Sequence, residues 1–192
     1  MVAVDSTRTD DGLRISFRID EGEPVRVDTV TFSGLDAPPR ELVADLPLRA
    51  GMPLDLIASE ATRDTLIGRL RDRGYAAADV LTSYFIPSDR PHIATVEYEL
   101  IPGERHRFGT IAIEGTAAVD SSVVRRMMTF RPGDVYSRRA LLESQRNLFS
   151  LDVFRHAETG ERVDPFDTMV AITVRVIEGD LHRVRVGFER CD

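Results

Sequence analysis

Four histidines, one cysteine and 32 acidic side chains are the groups in this chain that could do chemistry, and their spacing decides what is open to them. His92, His106, His156 and His182 stand singly, none with a second histidine or a cysteine at metal-ligand spacing. No metal site and no cofactor site is therefore expected. His106 and His182 occupy similar junction positions, which suits exposed residues at domain boundaries. A Gly-x-Ser-x-Gly elbow, a glycine-rich phosphate loop and a His-Glu-x-x-His helix are all missing. Asp10-Asp11 sits in a turn, where aspartate is favoured because its side chain bonds nearby backbone. No catalytic residue emerges, and an enzyme is the least supported class.

Charge narrows the partners. All 25 basic residues are arginine, which reads as a coding bias rather than a design for phosphate contacts. Residues 1–102 hold 11 arginines against 18 acids, and residues 103–192 hold 14 against 14. Neither half has the basic surplus that nucleic-acid binding needs. Arg125-Arg126 and Arg138-Arg139 read as solvated helix faces, with acidic partners or lipid headgroups as the alternative, and Met127-Met128 as core filling. No apolar run approaches the ~20 residues of a membrane helix, and the pattern of a signal peptide is missing. The single Cys191 cannot form an internal disulfide, which leaves the compartment undecided.

The elements that position everything else come as a repeat. Ile101-Pro102-Gly103-Glu104 leads into Phe108-Gly109-Thr110-Ile111-Ala112-Ile113-Glu114-Gly115, and related junctions occur at Glu21-Gly22 and Glu178-Gly179. The glycines at 22, 103 and 179 are 81 and 76 residues apart, a period that suits small tandem domains rather than a solenoid. Residues 1–22 read as a hairpin with one buried face, around the turn Asp10-Asp11-Gly12. They look like the tail of a preceding domain, which makes the chain a piece of a longer protein.

The first copy, 23–102, opens with a strand over 25–32 stopped by Gly34. Asp36 with Pro38-Pro39 signals a short helix carrying Leu42, Val43 and Leu46. Asp55 is placed to cap a longer helix with Ala58, Thr62, Leu66 and Leu70 on one face, ended by Gly74, and two strands follow over 75–85 and 93–101. The second copy, 103–179, repeats this order: a strand over 108–113, a short helix capped by Asp120 or Ser121, and a helix capped by Ser137 with Leu141, Ser144, Leu148 and Leu151 on one face. A hairpin around Asp164-Pro165 closes it. Its long helix should be nearly one turn shorter, because the loop-to-strand interval is 21 residues against 24.

The Ile-x-Ile-x-Gly strand ending (Ile111, Ile113, Gly115), the Gly-x-x-Tyr-Ser loop (Gly133, Tyr136, Ser137), the Arg-Gly-Tyr-x-x-Ala-x-Val helix ending (Arg73, Gly74, Tyr75, Ala78, Val80) and the closing Glu-Gly together resemble POTRA domains of the BamA/TamA outer-membrane protein assembly superfamily. The resemblance implies an α+β fold: tandem POTRA domains, each β-α-α-β-β, with a three-stranded mixed sheet covered by two helices. It makes 103–179 the membrane-proximal domain and 180–192, with Val184-Arg185-Val186-Gly187-Phe188, the start of a barrel strand or a linker. It implies the periplasmic side of the outer membrane and a barrel elsewhere in the parent protein. Partners would be unfolded outer-membrane β-barrel proteins and periplasmic accessory or chaperone proteins. The alternatives are a two-partner secretion transporter, a structural spacer or docking scaffold and, remotely, a ferredoxin-like nucleic-acid binder.

The family arrangement also puts the middle strand of each unit at a sheet edge, where an incoming strand can pair. The candidate edges are 75–85 and 154–162, and the client-binding residues are Ala78, Asp79, Val80, Thr82 and Tyr84 in the first and Arg155, His156, Ala157 and Glu158 in the second. Asp79 is expected to guard the first edge against uncontrolled pairing. Arg155 and Glu158, with Glu161 beyond, would guard the second.

Overall fold

A computed structural model describes residues 2–9, 12–19, 22–151, 153–164 and 167–179. Strands β1 (Val2–Thr9) and β2 (Gly12–Ile19) form an antiparallel hairpin with Val4 opposite Phe17. The pattern does gather Val4, Leu13, Ile15 and Phe17 on one face, but all four are exposed. The expected buried face is absent, because no described element packs over it.

The first repeat contains β3 (Arg26–Ser33), α1 (Arg40–Val43), α2 (Leu56–Arg71), β4 (Asp79–Phe85) and β5 (Ile93–Ile101). Its sheet runs β3-β5-β4, with β3 parallel to β5. Helix α2 begins where expected, since the Asp55 carboxylate accepts the Ile57 N–H at 2.9 Å. Thr62, Leu66 and Leu70 on its inner face are fully buried. Burying a hydroxyl is tolerated here because Thr62 accepts from the Leu48 N–H (2.8 Å) while donating to the Ala58 carbonyl (2.8 Å). Helix α1 starts later than Asp36 suggests and spans a single turn. Pro38 precedes another proline and is held out of the helical region, so extended Pro39 becomes the N-cap, without a side-chain bond.

The second repeat copies this order with β6 (Arg107–Glu114), α3 (Ser121–Met127), α4 (Arg138–Phe149), β7 (Phe154–Arg162) and β8 (Met169–Glu178), and its sheet runs β6-β8-β7. Strand β8 is parallel to β6 and antiparallel to β7, a mixed sheet. Asp120 caps α3 through the Ser122 N–H (2.7 Å) and Ser137 caps α4 through the Ala140 N–H (3.3 Å). Ser144 reproduces Thr62: it accepts from the Thr129 N–H at 2.9 Å and donates to the Ala140 carbonyl at 2.8 Å. Helix α4 has 12 residues against 16 in α2, close to the expected difference of a turn. The core is built on Phe108 stacked against Phe130 (3.7 Å between ring centres) and tilted to Tyr136, with Met127 and Met128 packed at its margin.

Gly34 and Gly115 end their first strands for one shared reason. A Cβ on either would lie 2.0 Å from a neighbouring carbonyl oxygen, of Leu100 or Val176, at φ of +84° or +88°. Only glycine satisfies both demands. These contacts also fix the equivalence of the copies: Leu100 matches Val176, and Pro102 matches Glu178.

The chain divides into two compact units, Met1–Thr65 with Val80–Leu100 and Leu66–Asp79 with Ile101–Asp192. Segment 66–79 therefore counts with the second unit, although the sequence repeat turns over at Gly103. The segment also corrects two readings. Residues 75–78 are a turn rather than the start of a strand, because the Tyr75 N–H donates to Leu70 at the helix end (3.2 Å) and the Ala78 N–H to Tyr75 (3.0 Å). His106 is buried rather than exposed: its N–H donates to Gly74 (2.7 Å) and its carbonyl accepts from Tyr136 (3.0 Å), which draws the ring inward. His182, Cys191 and the barrel-like stretch 180–192 lie outside the described residues.

Candidate functional site

Each sheet has two edges, and in both copies one is closed by the chain itself. Along β3 the loop after α1 adds a short pairing: the Val27 N–H donates to Met52 (2.8 Å), the Gly51 N–H to Val27 (2.6 Å) and the Leu54 N–H to Val25 (2.7 Å). Along β6 the Phe108 N–H donates to Asp134 (2.9 Å) and the Gly133 N–H to Phe108 (2.7 Å). Arg26 and Arg107 pin these loops through the carbonyls of Gly51 (3.1 Å) and Gly133 (2.7 Å). The edges left over are β4 and β7.

Which groups face outward follows from the register. The Gly179 N–H donates to the Val153 carbonyl at the start of the β7–β8 pair. Successive residues of a strand turn their N–H and C=O groups to opposite sides, so residues 177, 175, 173 and 171 of β8 face β7. Their partners His156, Glu158, Gly160 and Arg162 face inward. Ala157, Thr159 and Glu161 present their main chain outward. In β4 the matching residues are Val80, Thr82 and Tyr84.

Side chains alternate with this row. Val80 and Ala157 are fully buried beneath the long helix of their copy, and Tyr84 reaches Ser59 through its hydroxyl (2.8 Å). Ser59 in turn shares a bond with buried Tyr98 (2.9 Å), whose hydroxyl burial holds above its usual pKa. The opposite face of β4 shows Asp79, Leu81, Ser83 and Phe85 to solvent, with Leu81 50% and Phe85 66% exposed. The same face of β7 shows His156, Glu158, Gly160 and Arg162. Among the expected site residues, Ala78 drops out of the edge: it is a buried turn residue ahead of β4. Arg155 lies at a register shift between Phe154 and His156, a bulge in the edge. Glu158 sits opposite Arg175, which holds Glu114 at 2.9 Å, so a charged row crosses this face.

Glu161 is not a solvent-facing guard. Its carboxylate accepts from the Tyr136 hydroxyl and lies 3.8 Å from Arg138, because residues 157, 159 and 161 share the helix side. Burial first, and then the Glu161 carboxylate, push the Tyr136 hydroxyl well above its usual pKa.

Two residues of the site carry no signal in the sequence. Arg63 donates through Nε to the Val80 carbonyl at 2.7 Å, and Gln145 through Nε2 to the Ala157 carbonyl at 3.4 Å. Their acceptor is backbone, which leaves no partner residue type to search for. Gln145 also accepts from the Thr159 hydroxyl at 3.3 Å, whereas the matching hydroxyl of Thr82 is buried without a partner. Among the described residues no group of His, Cys, Asp or Glu could hold a metal ion, and no helix is long and apolar enough to cross a membrane.

The class defined by this arrangement is a tandem module with helices over one face of each sheet and one open edge per sheet. Residues 106–179 match the POTRA family model, described as a surface antigen variable number repeat. The chain is 28% identical over 180 residues to a Treponema pallidum (strain Nichols) protein named provisionally as an outer membrane protein assembly factor, covering 90% of this chain and 21% of that protein. In fold it is similar to POTRA domains 3–5 of Haemophilus influenzae BamA (TM-score 0.69, 16% identity, 92% of this chain and 71% of that one). It is also similar to Haemophilus ducreyi BamA lacking POTRA domains 1–3 (TM-score 0.64, 21% identity, 81% and 29%) and to POTRA domains 1–2 of Anabaena Omp85 (TM-score 0.52, 14% identity, 84% and 100%). Residues 106–179 thus match a POTRA domain, and the fold of the chain is similar to that of tandem POTRA domains.

Proposed function

We propose that this chain is the periplasmic POTRA region of an outer-membrane protein assembly or translocation protein, and that it takes extended segments of unfolded β-barrel clients as an added strand beside β4. The observation that carries the reading is the pair of edges: in each sheet one edge is closed by its own loop, and the other turns main-chain groups outward. Main-chain bonds give affinity with little dependence on client sequence, about 0.5–1.5 kcal/mol net for each. Of the two edges β4 suits the role better, because Leu81 and Phe85 offer apolar surface to alternate residues of a partner. Outer-membrane strands alternate apolar and polar residues with that period. The role is binding rather than catalysis, and a membrane barrel in the parent protein and periplasmic accessory proteins belong to the same reading.

Proline at an outward position removes a donor without touching the inward ladder. Thr82→Pro should reduce crosslinking to an unfolded β-barrel client at least fivefold, and Ala157→Pro much less, in chains that circular dichroism finds folded. Unchanged crosslinking in both variants would replace strand addition with a spacer role.

A further inference from the structure

The helices of the two copies differ in charge. Helices α3 and α4 carry Arg125, Arg126, Arg138, Arg139 and Arg146 against a single acid, Glu143, whereas α1 and α2 carry Arg40, Arg63, Arg69 and Arg71 against Glu41, Glu60 and Asp64. A cationic helix layer is therefore no requirement of the fold. It belongs to the second copy alone, in a chain whose formal net charge is −7.

Helical spacing decides what stands among these arginines. Leu141, Ser144 and Leu148 of α4 turn into the core, so at about 3.6 residues per turn Arg139, Leu142, Arg146 and Phe149 line the opposite side. Cation and apolar side chain alternate along this stripe. Leu142 is 45% and Phe149 48% exposed. Either alone would call for no explanation, but set between arginines on one helix flank they make a basic amphipathic surface. Helix α3 widens it. The Asn147 amide donates to the Met127 carbonyl at 3.1 Å and the Thr129 hydroxyl to the Ala140 carbonyl at 2.8 Å, which ties the end of α3 to the side of α4. Arg125 and Arg126 are exposed in the last turn of α3. With Arg146 they form no salt bridge to a described residue. Arg138 and Arg139 lie 3.8 Å from Glu161 and 3.5 Å from Asp72, and pairs so open to water hold their charges loosely.

We propose that the solvent side of α3 and α4 is a membrane-surface contact, lying on a leaflet that carries anionic phospholipid. The arginines meet the phosphates, and Leu142 and Phe149 enter the boundary between headgroups and acyl chains. Charge complementarity sets the sign of the occupant. Shape sets its kind, because a helix flank is convex and its cations are scattered over two helices. Mobile headgroups gather beneath scattered cations, whereas a folded acidic protein would have to match them with fixed carboxylates. Long arginine stems let a helix lying flat reach the phosphates. Two apolar side chains and a few cations give weak, reversible binding, so the contact orients the second copy and does not anchor it. It does not depend on strand addition at β4.

The test floats the full chain with vesicles of equal parts phosphatidylglycerol and phosphatidylcholine, and with vesicles of phosphatidylcholine alone. The chain should float with the first only, and release in about 1 M salt, where the screening length falls to ~3 Å. Arg126→Glu with Arg146→Glu should weaken the partition roughly tenfold or more, and Leu142→Ser with Phe149→Ser by roughly tenfold. Arg40→Glu with Arg90→Glu makes the same change of net charge at exposed residues of the first copy, and should leave the partition within roughly twofold. Circular dichroism checks that each variant is folded. Equal losses from the two arginine pairs would make net charge the cause and overturn the proposal, as would flotation with phosphatidylcholine alone or flotation that survives Arg126→Glu with Arg146→Glu. Flotation with neither vesicle also overturns it, and capture by polyglutamate in that case assigns the face to an acidic protein.

Discussion

The two edge strands have one topology and opposite surfaces. Beside the buried alternation they share, β4 shows solvent Asp79, Leu81, Ser83 and Phe85, while β7 shows His156, Glu158, Gly160 and Arg162. Strand β7 carries three of the features that keep natural sheet edges from pairing: a bulge at Arg155, charged residues, and a charge row running through Arg175 to Glu114. Strand β4 has Asp79 at its first residue and then exposed apolar side chains. The repeat therefore supplies an edge twice and, on the strand-addition reading proposed above, the side chains keep one open and guard the other.

Exchanging those surfaces gives the largest effect. Leu81→Glu with Phe85→Arg should abolish most client crosslinking to the first edge, and Glu158→Leu with Arg162→Phe should create it at the second. All four side chains stand in solvent, so each substitution should change stability by less than about 0.5 kcal/mol, which urea unfolding can check. If crosslinking stayed on β4 after the exchange, the backbone and not the apolar face would be choosing the edge.

A smaller effect of opposite sign in the two copies sharpens the comparison. Thr82→Val deletes a buried hydroxyl that has no partner and should stabilise the fold by about 1 kcal/mol. Thr159→Val deletes one that donates to Gln145 and should destabilise it by a similar amount. Denaturant midpoints of the two variants should move apart.

The smallest effect lies at the ends of the last strands. Glu178 accepts from the N–H groups of Ala117, Ala118 and Val119 at 2.7 to 3.1 Å, and these bonds hold its carboxyl below the usual range. A lowered folded pKa adds stability above the unfolded value and loses it as pH falls through the folded one. Glu178→Gln should therefore unfold earlier than the unaltered chain at pH 7, and the gap should close as pH falls below 4. Pro102 holds the matching place in the first copy, so Pro102→Gln should show no such pH-dependent gap.

Legibility followed the range of the interactions. Glycines, helix caps and apolar periodicity are local, and they marked both copies, the Asp55, Asp120 and Ser137 caps and the shorter α4. Strand order is not local. It came only through the family resemblance, and with it the edges. The segment 75–78 alternates like a strand, but its amides serve the end of α2 and a turn. His106 looked like an exposed linker residue because nothing nearby in sequence announces Gly74 and Tyr136 as its partners. Arg63 and Gln145 were illegible, since each works on a carbonyl that every residue owns.

The central claim is that a client segment becomes the strand next to β4. Cysteines placed singly at Leu81, Ser83 and Phe85, paired with single cysteines along an unfolded β-barrel client segment, report the register directly through disulfide formation. Strand addition requires each step of two along β4 to match a step of two along the client, on one face and in one direction. Crosslinks that scatter without that period, or that form equally from β1 and β2 positions, would contradict it.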